Sequence, residues 1–324
     1  MTPFFRRKQS AQSPASFSEE GVVRISAQSL IALHRAAESL VLKPVRIRSQ
    51  QSGVYLSPFK GRGMEFDEVR PYMQGDDVRT LDWRVTARTG KPHTKLFREE
   101  RERMVLLWTD LRRSMFFATR GAYKSVRAAQ AAALLGWSAI HHGDRLGALI
   151  FGEDEHLELR PKRGKHALLH LFKQLVGSPL WQRAATAFDQ QQSSAAIHQS
   201  LLRLRRVAQP GSLIFLLSDF AHLDELARSH IAHLSRHSDL VLISIHDPLE
   251  AELPPPGHYR VSDGQGSATI DSTLDAVCNE YRQRYQWQQA GLQQFCRRHG
   301  LYLLPMSTAD DPVTVLQRGL GGKS

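Results

Sequence analysis

Residues 104–114 read MVLLWTDLRRS, and residues 212–220 read SLIFLLSDF. Each is a short apolar run that closes on an aspartate, Asp110 in the first and Asp219 in the second. Runs of this length bounded by polar residues mark strands buried on both faces, the form that strands of a parallel sheet take. Three more runs of the same kind lie at 146–151, 240–245 and 301–304, and amphipathic stretches separate them. The largest of these, 124–141, predicts an Ala-rich helix whose small side chains let it pack closely on a sheet. Further helices are expected over 194–206 and 272–298. Residues 156–160 follow the 146–151 run across a short turn of glycine and acidic residues, so they predict an antiparallel edge strand. The stretch 254–268, which opens on Pro-Pro-Pro-Gly, predicts an excursion of loop with two short strands. The fold class is therefore α/β, a three-layer, mostly parallel, doubly wound sheet spanning 104–320.

Such a sheet holds ligands beyond the carboxyl ends of its strands, where the strand order reverses. Wound in the order 3-2-1-4-5-6, the strands that end in Asp110 and Asp219 are neighbours at that reversal. Both carboxylates then face one crevice. Arg112 and Ser114 follow Asp110 closely enough to share it.

Upstream, apolar residues at Leu30, Ile31, Leu33, Ala37 and Leu40 give one face of a helix over 27–40, with Ser26 as its cap. Residues 43–103 are irregular, rich in charge and glycine, and predict strand and loop. Together 27–103 form a basic N-terminal subdomain, and 1–26 reads as a flexible tail. Within the subdomain, Gly75, Asp76 and Asp77 make a turn, and Arg79, Asp82, Trp83 and Arg84 project from the extended piece after it. Arg70, Asp76, Arg79 and Asp82 are either a local salt-bridge network or, with Trp83 as aromatic anchor, a partner-docking surface.

The whole chain has 324 residues, 41% of them apolar, and a formal net charge of +11. This describes a globular protein, not a disordered one, whose surface attracts polyanions or an acidic partner. Cys278 and Cys296 fall on one predicted helix, roughly 27 Å apart at 1.5 Å per residue, too far for a bridge. The N-terminus has basic residues but no apolar run of the kind a secretory signal needs. The longest apolar stretch, 128–140, falls short of the roughly 20 residues that cross a bilayer. A cytoplasmic protein without a membrane span is expected.

The run DLRRS resembles the end of the first strand in von Willebrand factor A domains, where Asp-x-Ser-x-Ser, a later Thr and a later Asp hold a divalent cation. The matching positions here are Asp110, Arg112, Ser114 and Asp219, with the first serine replaced by arginine. The position of the Thr falls near Ser194 and Ala195, where no Thr stands. Asp110, Ser114 and Asp219 remain as oxygen ligands suited to magnesium or manganese. Arg112, with five donors and a permanent charge, can instead pair with both aspartates and remove the need for a metal. A second resemblance is longer. The strings GRGMEFDEVRPYMQGDDVRTLDWRVTARTGKPHTKLFREERER (61–103) and GDRLGALIFG (143–152) resemble the signature of domain-of-unknown-function family 58. That resemblance implies an A-like domain behind an N-terminal segment, and partners among MoxR-type AAA+ ATPases and other von Willebrand factor A-like proteins. The function expected is recognition without catalysis. In this reading the crevice of Asp110, Arg112, Ser114 and Asp219 takes an acidic side chain of the partner, or a cation bridging to it.

Two alternatives belong to other classes. A basic nucleic-acid-associated protein would exploit the net charge through the doublets Arg205-Arg206 and Arg297-Arg298, although no nucleic-acid fold accompanies them. A metal-dependent hydrolase would need a metal-activated water in the crevice. A zinc site built from His230, His233 and His237, or from His141 and His142, is set aside because no Cys ligands stand at matching spacing. No Gly-x-Ser-x-Gly elbow appears. The C-terminal GLGGKS is no phosphate loop, because Gln317 takes the place of the first glycine.

Overall fold

A computed structural model describes residues 20–40, 42, 64–73, 76–99, 102–182, 189–262 and 266–320. Of the expected flexible tail, 1–19 lie outside the described residues, as do Gly75 of the expected turn, the first three residues of the family signature and the final four of the chain. In chain order the elements are α1 (Ala27–Ala32), α2 (His34–Ala37), β1 (Met64–Pro71), α3 (Trp83–Thr89), β2 (His93–Glu99), β3 (Met104–Asp110), α4 (Lys124–His141), β4 (Arg145–Phe151), β5 (His156–Lys162) and α5 (Lys165–Val176). There follow α6 (Gln190–Val207), β6 (Leu213–Ser218), α7 (Glu225–Leu234), β7 (Asp239–His246), α8 (Pro248–Ala251), β8 (His258–Ser262), β9 (Ser267–Asp271), α9 (Asp275–His299), β10 (Tyr302–Ser307) and α10 (Pro312–Leu320).

The central sheet has the order β10-β7-β6-β3-β4-β5. Counted along the sheet's own strands this is 3-2-1-4-5-6 read from the other edge, the winding expected from the sequence. Every pairing is parallel except β4 with β5, the predicted antiparallel edge. β3 is central, flanked by β4 and β6. Its alternation of side chains sorts the core into two layers. Val105 and Leu107 face a cluster made with α4 and α5, including Leu134, Leu135, Leu168 and Phe172. Leu106 and Trp108 face the other side, against Ile197 and Leu201 of α6, Ile231 of α7 and Phe295 of α9. Helix α4 is buried along most of its length, which its alanines permit. β8 and β9 form the expected short antiparallel pair.

Two expectations change. The N-terminal helix is not part of a separate subdomain: Leu30, Ala37, Leu40 and Leu42 belong to the main core. Trp137 Nε1 donates to Leu30 O at 3.1 Å, and Ser138 Oγ donates to Leu40 O at 2.6 Å. The apolar stripe read at 27–40 needed a surface to cover, and α4 supplies it. It is also broken into two short helices; the capping box on Ser26 starts the first as predicted. The second change lies after the expected turn, in the piece that carries Arg79, Asp82, Trp83 and Arg84 and was expected to be extended. Asp82 accepts from the Arg84 and Val85 backbone N–H groups and starts a helix, which Gly90 ends in the left-handed region at φ 71°. Asp at the N-cap and Gly just past the last turn are helix signals that the charge-rich composition hid.

Candidate functional site: a buried ion cluster at the strand ends

Asp110 is the last residue of β3, and Asp219 follows the last residue of neighbouring β6. The fold brings them to one place, as expected, together with Arg112. The Arg112 guanidinium grips Asp110 side-on, with Nη2 2.7 Å from Oδ2 and Nε 3.0 Å from Oδ1. The same Nη2 lies 3.5 Å from Asp219 Oδ1, and Nη1 donates to Ser193 Oγ at 2.8 Å. Asp110 also accepts from the Arg112 backbone N–H and from Ser218 Oγ. Asp110 and Arg112 are both inaccessible to solvent.

A second cation completes the balance. Lys124, the first residue of α4, is buried and places Nζ 3.0 Å from Asp219 Oδ2. It also donates to Glu250 of α8, which lies at the rim and reaches back to the Asp247 N–H. A lysine in the first turn of a helix opposes the helix dipole. Two carboxylates facing it offset that cost. Asp247, at the end of β7, is held by Thr119, Thr308 and the Leu249 N–H. The polar line thus runs from Asp110 through Arg112, Asp219, Lys124 and Glu250 to Asp247.

Burial alone would lower the proton affinity of Arg112 and Lys124, but Asp110 and Asp219 outweigh it at Arg112, and Asp219 and Glu250 at Lys124, so both cations are held above their ordinary values. Burial pushes Asp219 upward, while Lys124 and Arg112 pull it further down, so it stays ionised well below the usual carboxylate range. Ser114 lies beside Asp219 and favours its charged form, although its buried Oγ makes no well-formed hydrogen bond. The loop after β6 is strained: Phe220 and His222 sit at φ 52° and 59°, in the left-handed region, where a non-glycine residue costs about 1–3 kcal/mol. That tight path turns the Asp219 carboxylate inward, where Oδ1 accepts from the Ala221 N–H.

The donor set does not fit a divalent cation. Both Asp110 oxygens already accept N–H or O–H donors, Asp219 lies between two cations, and Arg112 stands where the A-domain pattern places an oxygen ligand. The four residues expected to line the crevice, Asp110, Arg112, Ser114 and Asp219, do meet, with Asp110 and Arg112 fully buried and Ser114 and Asp219 half-buried. Arg112 therefore cannot receive a partner's carboxylate directly.

Ser193, Lys124, Ser218 and Glu250 were not read as site residues. Ser193 had a signal. It is four residues before Ile197 and eight before Leu201, on the same buried face of α6, one position ahead of the Ser194 and Ala195 where a hydroxyl was sought.

The second group of expected site residues lies at the surface. Arg70 Nη2 meets Asp76 Oδ1 at 2.8 Å, and the Met73 N–H and Arg70 hold Asp76 below its ordinary range. Asp77 accepts from the Arg79 N–H and starts a single 3₁₀ turn. Asp82, besides capping α3, lies 3.6 Å from Lys95 Nζ. Arg79 is exposed, and Trp83 is 69% exposed. Of the histidines set aside, His230 is buried against Arg205 Nη1 at 3.1 Å. Both cysteines of α9 are free.

A family model described as "Protein of unknown function DUF58" matches residues 68–294, which contain the whole buried cluster. The chain belongs to this family. Among its relatives are uncharacterized proteins of Mycobacterium tuberculosis and Mycobacterium bovis, each 29% identical over 265 residues, covering 80% of this chain and 79% of theirs. Among solved structures, the conserved hypothetical protein BatB from Bacteroides thetaiotaomicron is similar at 15% identity and TM-score 0.36, over 61% of this chain and 98% of that one. An uncharacterized membrane spanning protein from Vibrio fischeri gives 16% identity and TM-score 0.18, over 65% and 93%. These scores are too low to place the fold, which rests on its own strand order. Among the described residues, no helix of this family member is long and apolar enough to cross a membrane.

Proposed function

We propose that this chain is a non-catalytic recognition module of the von Willebrand factor A kind, in which Arg112 and Lys124 take the place of the metal ion. Its partner would be a MoxR-type AAA+ ATPase, in an assembly open to other A-like proteins. The observation that carries the reading is the Arg112 guanidinium, fully buried and bound to Asp110, Asp219 and Ser193. The winding 3-2-1-4-5-6 and the two aspartates at adjoining strand tips support the A-like assignment. The charges that hold a metal in an A domain are here neutralised from within. A hydrolase working through a metal-activated water would need oxygen ligands with free lone pairs. These carboxylates have donors on them instead.

Recognition then falls to the loops that cover the cluster. The loop after β3 presents Phe117, 39% exposed, and Arg120, also exposed. A partner carboxylate would pair with Arg120 in a charge-assisted contact, beside an apolar anchor at Phe117. The test is the affinity of the chain for a purified MoxR-type AAA+ ATPase, measured for wild type and for Phe117→Ala with Arg120→Glu. The reading predicts a loss of at least about tenfold, the size expected when an anchor and a charge partner are removed together. Binding unchanged by both substitutions would take this face out of the interface, and no binding by wild type would reject the partner class.

A further inference from the structure

We propose that His34, Glu38 and His141 form a zinc site that fastens the N-terminal helices to the core. The inference stands apart from the recognition face, on different residues. His34 opens α2 and His141 closes α4, so 107 residues of chain separate two rings that the fold sets face to edge. Their Nε2 atoms are 3.1 Å apart and the ring planes cross at 86°. On one tetrahedral zinc, with bonds of about 2.0–2.1 Å, two nitrogens stand about 3.3 Å apart. Metal-free, the pair can only share one proton between two nitrogens. Glu38 lies one helical turn beyond His34, and its Oε1 is 3.6 Å from His34 Nδ1, the ring nitrogen other than the one that meets His141. One ligand atom from each of the three residues falls within 4.8 Å of the other two.

Three features suit an ion of this class. Two imidazoles and a carboxylate are a zinc donor set that leaves a fourth position for water. His141 stands exposed at the surface, where an ion reaches its ring directly from solvent. Trp137 packs edge-on against His34 at 4.6 Å between centroids, which fixes the ring's orientation as a supporting shell does around a metal ligand. The sequence offered His141 only with its neighbour His142. The fold gives it a different partner: His142 Nδ1 turns away to Ser138 O.

Placed there, an ion closes the seam where Leu30 and Leu40 pack against α4. It would add stability by binding the folded chain alone. The experiment is titration of the tag-free, full-length chain with zinc chloride by calorimetry, with thermal unfolding in parallel and cobalt(II) absorption as a report on geometry. One ion per chain, a zinc-dependent rise in Tm and the visible bands of four-coordinate cobalt are expected. His34→Ala and His141→Ala should each weaken zinc at least about tenfold and remove the rise in Tm, and Glu38→Gln should weaken it about tenfold. All three side chains reach solvent, so the variants should keep the wild-type far-ultraviolet circular dichroism. No zinc uptake by wild type, or uptake that either alanine variant leaves unchanged, would overturn the site and leave a plain imidazole pair.

Discussion

Two parts of this molecule are built from the same residue types and behave in opposite ways. Around the strand tips, Asp110, Arg112 and Lys124 are buried, and the Asp219 side chain is only 4% exposed. In the segment 70–95, Arg70 with Asp76 and Lys95 with Asp82 make ion pairs that solvent reaches. A charge in water loses little when its partner is removed, because water replaces the partner. A buried charge has no such replacement, and an uncompensated ion costs several kcal/mol. The first region therefore behaves as one unit with fixed charge balance, and the second as a set of local contacts.

The sharpest break in that comparison is Arg112→Ala, which leaves Asp110 without its counter-charge. A loss of about 3–5 kcal/mol in unfolding free energy is expected, read from the midpoint of a urea transition; a loss under about 1 kcal/mol would mean that the cluster is hydrated.

Next is Asp219→Asn, which leaves Lys124 with only the rim residue Glu250. A cost toward the lower end of that range is expected. It also carries a pH signature. The folded carboxylate of Asp219 is held below its ordinary value, so its stabilisation is present above about pH 4 and fades as pH falls toward the folded value. Wild type minus variant should therefore narrow on acidification. Lys124 has the opposite sign: raised in the fold, it contributes below its ordinary range and loses that contribution only under strongly alkaline conditions. A difference between wild type and Asp219→Asn that stays constant from pH 6 to pH 2 would contradict the pairing.

Asp82→Ala should cost less than either, through loss of the α3 cap. Arg70→Ala should cost less than about 1 kcal/mol. Trp83→Ala should change stability least of all, since its ring is exposed; an effect on partner affinity without one on stability would assign this segment to docking and not to scaffolding.

The sheet was legible because its central strands, β3, β4, β6 and β7, are closed apolar runs set apart by amphipathic stretches. The ends of α4 follow from that rhythm, whereas the winding 3-2-1-4-5-6 was a condition of the reading that the strand order meets. The cluster was legible only in part. Asp110, Arg112 and Asp219 could be placed because strand ends are visible in sequence. Lys124 could not: as the first residue of a helix, 95 residues from Asp219, it looks like any solvated lysine. Its burial depends on how α4 meets α8, a tertiary fact that no local pattern encodes. The short helix from Trp83 was missed for the converse reason. Its cap and its terminating glycine were present, but seven residues without a buried face leave no apolar period to read.

The most direct test of the central claim is thermal unfolding of wild type and Arg112→Ser, each with and without magnesium or manganese. Serine restores the oxygen that the A-domain pattern has at this position. An ion that binds the folded state at 100 times its Kd would stabilise by about 2.7 kcal/mol. If Arg112 and Lys124 neutralise the aspartates from within, wild type will show no rise in Tm with magnesium or manganese that depends on Asp110, while Arg112→Ser will be destabilised and will recover part of its loss on addition of either ion. A rise in wild-type Tm that is lost in Asp110→Asn would show that a cation, and not the guanidinium, occupies the strand tips.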